Sequence, residues 1–394
     1  MKVNNVKLIK KDACCGCTAC YSVCPKNAIT MECDEEGFLY PKIDENKCVN
    51  CGLCLKVCRD KMKYLTDINK VKVYAAKNRD ECVLKKSSSG GISNALGKKI
   101  IDVGGIVYGV IYDENHRVIV KRSETKKDLD RLYGSKYVQA DLQNTFKEVH
   151  DDLRNNKVVL FIATSCYVAG LKSFLINKKC NIDNLYTVDL VCHGVPSPKI
   201  FSDYINYLRE KYDFDHFEFR TKELPWGYGS KNYGCTIFLK NNKKIVDSTD
   251  ARLFLNIFFS NYCLRPCCYK CAFSKIEKPA DMTIADYWGV ANEHPDFFDE
   301  KGVSAVIIHT DKGEKLFNDT KDIIAIKSSI NKVKNKQPNL DKPSGIKNDR
   351  DLFWKTYEDM GFKYVCKKYF GLNFKTLLKS NIKKVLVKIK IIRG

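Results

Sequence analysis

From about residue 72 onward, short apolar, β-branched runs alternate with longer stretches of helical character. The runs Ile106–Ile111, Val118–Val120, Val158–Ile162, Tyr186–Val191 and Ser304–Ile308 predict strands, and the stretches 90–102, 144–154, 167–178 and 198–212 predict helices. Strands alternating with helices predict an α/β domain with a mostly parallel sheet over 72–325, and such sheets hold ligands at the carboxyl ends of their strands. Residues 327–350 are rich in Lys, Asn, Ser, Pro and Asp and read as a linker, within a third region, 326–394, that ends in basic amphipathic helices. There Phe374, Leu378, Ile382, Val385, Ile389 and Ile392 step by three or four along one face, with Lys375, Lys379, Lys383, Lys388 and Lys390 mostly off it. Such a helix suits an anionic membrane surface, as a peripheral contact, or an acidic partner; the plainer reading is a surface helix packed on its own domain.

Composition narrows the class. With 44% hydrophobic and 11% aromatic residues the 394-residue chain has material for a core, and no run approaches the ~18 apolar residues of a spanning helix. The start shows no apolar leader, so a cytoplasmic protein is expected. The formal net charge is +21, but ten bases follow Asp359 with no acid among them, so the body of the protein is less basic than its total. A nucleic-acid binder built on zinc ribbons therefore finds little support, and no nucleic-acid partner is expected.

Twenty cysteines change the picture most. Ten precede residue 60 and four fall between Cys263 and Cys271, a clustering that suits metal sites better than disulfides. Cys14, Cys17, Cys20 and Cys24, followed by Pro25, have the spacing C-x2-C-x2-C-x3-C. Cys48, Cys51, Cys54 and Cys58 repeat it 34 residues on (Cys48 against Cys14). Three closely spaced thiolates wrap one iron–sulfur cubane, and the fourth enters a helix and points at the other. The expected ligand sets are Cys14, Cys17, Cys20 with Cys58, and Cys48, Cys51, Cys54 with Cys24, in an α+β, ferredoxin-like domain over 1–68 holding two [4Fe-4S] clusters. Zinc favours paired C-x2-C elements and fits two full runs poorly. Arg59 stands where the second run usually carries proline; Cys15 and Cys33 are spare.

Further chemistry sits at strand ends. Ser89, Gly90 and Gly91 precede a helix, where free N–H groups suit a phosphate; an N-cap and a flexible loop read equally well. Gly134, Ser135, Lys136 and Tyr137 offer glycine, hydroxyl, cation and aromatic for a phosphate or a flavin edge, or form a surface turn, and Thr164 stands at another strand end. Cys166 and Cys192 follow two strands, and Cys268 with Cys271 forms a C-x2-C pair. Together these four predict a third cluster, against the alternative of buried free thiols, with Cys263 and Cys267 as competing ligands. His193 reads as a proton donor or as a structural histidine in a turn, and Arg220 and Lys222 as anion binders or solvated cations.

SSSGG, GSKYVQADL, ATSCYVAGL, DLVCHGVPSP, RPCCYKC and MTIADYWG, in this order after a double ferredoxin run, resemble the coenzyme F-420 hydrogenase/dehydrogenase beta-subunit family over about residues 8–320. The resemblance implies an FAD-containing iron–sulfur oxidoreductase, with Cys166, Cys192, Cys268 and Cys271 at the extra-cluster positions and Cys267 outside them. It implies a ferredoxin or similar redox partner, and coenzyme F-420 or a small organic substrate, such as one from surface-polysaccharide synthesis, at the far end. The family's Thr-Pro-Cys-Gln is here Thr164-Ser165-Cys166-Tyr167, which bears on flavin or substrate contact. Asp286-Tyr287-Trp288-Gly289 offers an aromatic turn for a flavin ring, or core packing. The alternative from another class is a non-catalytic electron-transfer subunit, without flavin, that serves a partner enzyme.

Overall fold

The computed structural model describes residues 4–227 and 234–371. The predicted tail helix over 374–392 lies outside them.

One eight-stranded sheet organises the chain. Its spatial order is Ile323–Ser328, Lys72–Asn78, Ser304–Ile308, Met282–Asp286, Leu185–Leu190, Val159–Ile162, Ile106–Tyr112, Val118–Ser123. Each strand expected from the sequence is present, and the expected helices appear as Ile92–Asp102, Thr145–Arg154, Ser165–Asn177 and Pro198–Lys211. The sheet is mixed, not mostly parallel. Its four inner strands from Met282–Asp286 to Ile106–Tyr112 run parallel, while the four pairings outside them are antiparallel. Within the block, Ile106–Tyr112, Val159–Ile162 and Leu185–Leu190 are joined through helices, whereas Val118–Ser123 returns from Ile106–Tyr112 by a short hairpin and Ser304–Ile308 follows Met282–Asp286 without crossing the sheet, so both lie antiparallel.

The hydrophobic pattern does not announce a second layer, yet one is present. Phe214–Phe219, Cys235–Leu239 and Lys244–Val246 form a three-stranded antiparallel sheet. It buries Phe214, Phe217, Phe219 and Ile237 against the helices Pro198–Lys211, Thr249–Phe259 and Arg350–Phe370. The stretch read as a linker is packed as well: Val333 and Leu340 are buried, and Arg350–Phe370 is a 21-residue helix with a break at Gly361. Polar composition hid a few well-placed apolar anchors.

The N-terminal segment carries a hairpin, Ile29–Cys33 with Leu39–Ile43, and two short helices, Ala19–Val23 and Leu53–Asp60. These do not stand apart from the large sheet. Val23, Ile29, Cys54 and Val57 share one buried core with Phe146, Leu171 and Phe174. The helix Ser165–Asn177 is the element between them. Its Gly170 lies so close to the first cysteine run that a Cβ would sit 2.7 Å from Cys17 Sγ, and its Ser173 Oγ donates to Val57 O at 2.7 Å. The same helix starts at the end of strand Val159–Ile162 and carries Cys166 in its first turn.

Candidate iron–sulfur site

All twenty cysteines are free thiols. The two runs are built alike. Gly16 (φ +69°) and Gly52 (φ +78°) take left-handed turns that bring backbone N–H groups round towards the thiols, and each run ends in a helix. Cys54 lies in the first turn of Leu53–Asp60 and Cys58 one turn further on. One cavity, about 300 Å³ in empty volume, is lined by Cys14, Cys17, Cys20 and Cys58. A second, about 360 Å³, is lined by Cys24, Cys48, Cys51 and Cys54. Of the eight cysteines in the two runs, each cavity thus draws three from one run and one from the other, and Cys15 lines the first cavity as well. Among the described residues no three His, Cys, Asp or Glu side chains converge as ligands of a single ion do. The thiols surround a space, as the corners of a multinuclear cage require.

The electrostatics suit a cationic core. Burial pushes the thiols of Cys14, Cys20 and Cys58 up, and contact with Cys15 followed by burial does the same at Cys17. Four ionised thiolates would be unstable in so dry a place unless positive metal lay among them, which is the condition iron ligation meets. Around the second cavity the donors to sulfur are neutral: Ala28 N to Cys24 Sγ at 3.3 Å and Asn5 Nδ2 to Cys48 Sγ at 3.9 Å. This cavity is the outer one, with Cys51 exposed and Val49 beside it 59% exposed. We refer to the two as the inner and outer cages.

Behind the inner cage a third group of thiols gathers at adjacent strand ends. Cys166 and Cys192 end neighbouring parallel strands, and both feel the thiol of Cys271. Val195 N donates to Cys268 Sγ at 3.5 Å, bringing the 268–271 loop against the Cys192 turn. Burial holds the Cys192 thiol up to about 12. Two further thiols belong to this neighbourhood. Cys15, read as spare, touches both Cys17 and Cys166, so it stands between the inner cage and the third group. Cys267, set aside on the resemblance, touches Cys268 and feels Cys15. Adjacency in sequence to a ligand position conceals such a role.

The residues expected to hold flavin divide. Ser89 Oγ donates to Val303 O at 2.9 Å, and Gly90 N donates to Ser304 Oγ at 3.0 Å. A Cβ on Gly90 would meet Ala76 O at 2.5 Å. Ser89, Gly90 and Gly91 therefore seat a loop against the strands instead of offering Gly90 N–H to a phosphate; Gly91 adds the left-handed turn (φ +71°) before the helix. Lys136 Nζ donates to the carbonyls of Arg131, Tyr133 and Gly134 at 2.6–3.3 Å. Ser135 N reaches Ser88 Oγ at 2.7 Å, next to the open Gly134, which has no neighbour within 4 Å of an added Cβ. Thr164 Oγ1 lies 3.3 Å from Cys166 Sγ, so it belongs to the third thiol group.

A polar node lies where these loops meet the strand Met282–Asp286. Arg220 forms a bidentate pair with Asp286 at 2.7 and 2.8 Å, and donates to Tyr137 Oη at 3.1 Å and to Ser88 O at 3.0 Å. It does so in a left-handed backbone conformation (φ +60°), a strained state for a residue with a side chain and one found preferentially at functional sites. Lys222 Nζ reaches Ser88 O at 3.2 Å, and burial with the Arg220 charge pushes its pKa down to about 7. Trp226 stacks on Trp288 at 4.9 Å and donates to Asp286 at 3.0 Å. Tyr137 and His193 pack on the same rings, Phe258 and Phe259, which links this node to the Cys192 turn. His193 itself is held by Asn261 at 2.7 Å and by Ser344, as a structural histidine would be.

Tyr167 is buried. Its hydroxyl donates to Ala140 O at 2.7 Å and accepts from Gln139 Nε2 at 3.0 Å. Gln139 in turn donates to Cys15 O at 3.0 Å. Tyr167 thus braces the first cysteine loop through Gln139. Sequence reasoning missed Gln139, Lys61 and Arg265. Lys61 Nζ reaches Cys15 Sγ at 3.3 Å in a buried position, and Arg265, fully buried, reaches Cys14 Sγ at 3.7 Å. The available signals were only a lysine soon after the second run and the arginine that opens RPCCYKC; neither reports burial.

Comparison with known proteins places these features. Residues 156–332 match the family described as the C terminus of the "Coenzyme F420 hydrogenase/dehydrogenase, beta subunit", and residues 13–62 match the "4Fe-4S dicluster domain". The chain is 24% identical over 336 residues to one of the subunits of the F(420)H(2) dehydrogenase of Methanosarcina mazei, covering 81% of this chain and 86% of that one. It is 34% identical over 79 residues to an uncharacterized ferredoxin of Methanocaldococcus jannaschii, 20% of this chain and 94% of the ferredoxin. A chain from a structure of the F420-reducing [NiFe] hydrogenase complex of Methanosarcina barkeri superposes with a TM-score of 0.45 at 16% identity, covering 77% of this chain and 94% of that one. With a dicluster segment over residues 13–62 in front, residues 156–332 carry the C-terminal region of the coenzyme F420 hydrogenase/dehydrogenase beta-subunit family.

Proposed function

We propose that this protein is an iron–sulfur flavoprotein oxidoreductase that carries electrons between a ferredoxin-type partner at the outer cage and FAD at the Arg220 node. When bound, [4Fe-4S] clusters supply one-electron transfer, and a flavin gathers two single electrons for delivery as a hydride. The outer cage is held by Cys24, Cys48, Cys51 and Cys54, and the inner by Cys14, Cys17, Cys20 and Cys58. A third centre takes Cys166, Cys192, Cys268 and Cys271. The observation that carries this reading is the succession of thiol groups from an exposed cavity, through a buried one, to the strand ends beside Tyr137 and Arg220. Lys222, beside the Arg220–Asp286 pair, supplies the cation for the anionic part of a dinucleotide, and Trp226 with Trp288 supplies a flat apolar wall. Coenzyme F-420 or a small organic molecule, including one from surface-polysaccharide synthesis, is the second substrate. The similarity to a subunit of an F(420)H(2) dehydrogenase favours coenzyme F-420.

A second reading is favoured by one observation. Gly90 N–H and Lys136 Nζ are already bonded within the protein, which suits a carrier subunit that has no flavin and serves a partner enzyme. Anaerobic purification with iron, sulfide and flavin counts separates the two. Iron, sulfide and stoichiometric FAD support the enzyme; iron and sulfide without flavin support the carrier; a colourless, iron-free protein overturns both.

A further inference from the structure

Arg265 presents a physical problem. Its side chain is fully buried. Its Nε donates to Cys14 O at 2.7 Å, Nη1 to Gln139 Oε1 at 2.9 Å, and Nη2 to Leu39 O at 2.9 Å and Cys14 Sγ at 3.7 Å. Its guanidinium lies 4.1 Å from the Tyr40 ring centroid and 5.4 Å from that of Phe38. Every partner is neutral, and among the described residues no carboxylate pairs with it. An isolated buried charge is among the costliest things a protein can hold, and arginine cannot escape by losing its proton. The other buried arginines show the usual remedy: Arg220 is paired with Asp286 and Arg350 with Glu36. The fold also reserves space for Arg265, because a Cβ on Gly16 would lie 2.9 Å from its Nη1.

The compensating charge must come from what the cysteines bind. A [4Fe-4S] core with four thiolates is a net anion, and it gains one more negative charge on reduction. Lys61 is a second buried cation on the inner cage, beside Cys15 and Cys58, and it comes from the cysteine segment itself; Arg265 is the cation that the rest of the fold brings to the cage.

We propose that Arg265 is the built-in counter-charge of the inner cage, hydrogen-bonded to its ligand Cys14, and that it raises the reduction potential of the cluster held there above the value its burial alone would set. Burial by itself disfavours the extra electron, but the same dryness strengthens a cation beside the sulfur. Among the described residues no cation is hydrogen-bonded to the sulfurs of the outer cage, which receive neutral N–H groups, as from Ala28 and Asn5. Arg265 thereby lessens the uphill step from the exposed cage to the buried one. It lies two residues before Cys267 and three before Cys268, so the same charge faces the third thiol group. This inference rests on the cluster reading above.

The test is an EPR-monitored redox titration of the full, anaerobically purified chain, with the inner-cage signal identified as the one lost in Cys14→Ala. In Arg265→Gln the inner midpoint is expected to fall by about 59 mV or more, a tenfold loss in the one-electron reduction equilibrium, with the outer midpoint unchanged. Arg265→Lys keeps the charge and is expected to stay within that margin of wild type. An unshifted inner midpoint in Arg265→Gln, or equal shifts of both signals, overturns the proposal. If Arg265→Gln fails to assemble the inner cluster, Arg265→Lys decides: a tenfold shift there overturns the proposal and a wild-type midpoint supports it. Wild-type protein without iron defeats the cluster reading itself, an outcome distinct from iron-loaded protein with unshifted midpoints.

Discussion

Cys54 and Cys58 are one helical turn apart, and that turn assigns them to different cavities. The exchange predicts an asymmetric loss. Cys58→Ala should deplete the cluster of the run to which Cys58 does not belong, and Cys24→Ala the converse, read as loss of one of two EPR signals with partial loss of iron. Loss of the signal belonging to each residue's own run would refute the exchanged pairing. At the polar node, Asp286→Ala would leave Arg220 buried without its partner. Breaking such a pair costs about 3–5 kcal/mol, to be read from denaturant unfolding beside an Asp286→Asn control. Lys222 supplies a pH dependence. Its pKa is held down near 7, so it is neutral above that pH and charged below it. Binding of inorganic pyrophosphate should tighten as pH falls through about 7 and lose that dependence in Lys222→Met, measured by calorimetric titration. Equal pH profiles for the two proteins would remove Lys222 from anion binding.

At the scale of elements, the helix Ser165–Asn177 joins the two chemistries. Its first turn presents Cys166 and its middle supports the first cysteine run through Gly170. Gly170→Val places a side chain against Cys17 Sγ and should cost about 1–3 kcal/mol of overpacking with loss of inner-cage iron, measured by thermal unfolding and metal count. Full iron retention would mean that the run does not depend on this contact. The helix itself was legible as an apolar stretch after a strand, but its docking partner was not, because no local pattern records which surface a helix buries. The same limit hid the strands Phe214–Phe219 and Cys235–Leu239, which are short, the first of them interrupted by charge, and which pack on the helices behind them.

For the whole molecule, the shared core of Val57, Phe146, Leu171 and Phe174 ties the cysteine runs to the sheet. Residues 1–68 should therefore not unfold on their own, and anaerobic calorimetry of the intact chain is expected to show one cooperative transition. Two separated transitions would show that the dicluster segment is an independent unit. Among the described residues no helix is long and apolar enough to cross a membrane.

The sequence by itself determined the thiol spacing, the inner strands and the resemblance to the beta-subunit family, because each is written in residues a few positions apart. Only the tertiary structure decided the rest. It set the antiparallel flanks of the sheet, turned the Gly90 loop inward, and brought Cys15 and Cys267 to the third thiol group. It also buried Arg265 without an acid. These are meetings of segments far apart in the chain, 251 residues between Arg265 and Cys14. Burial and charge compensation are properties of such meetings, and no single stretch of chain carries them.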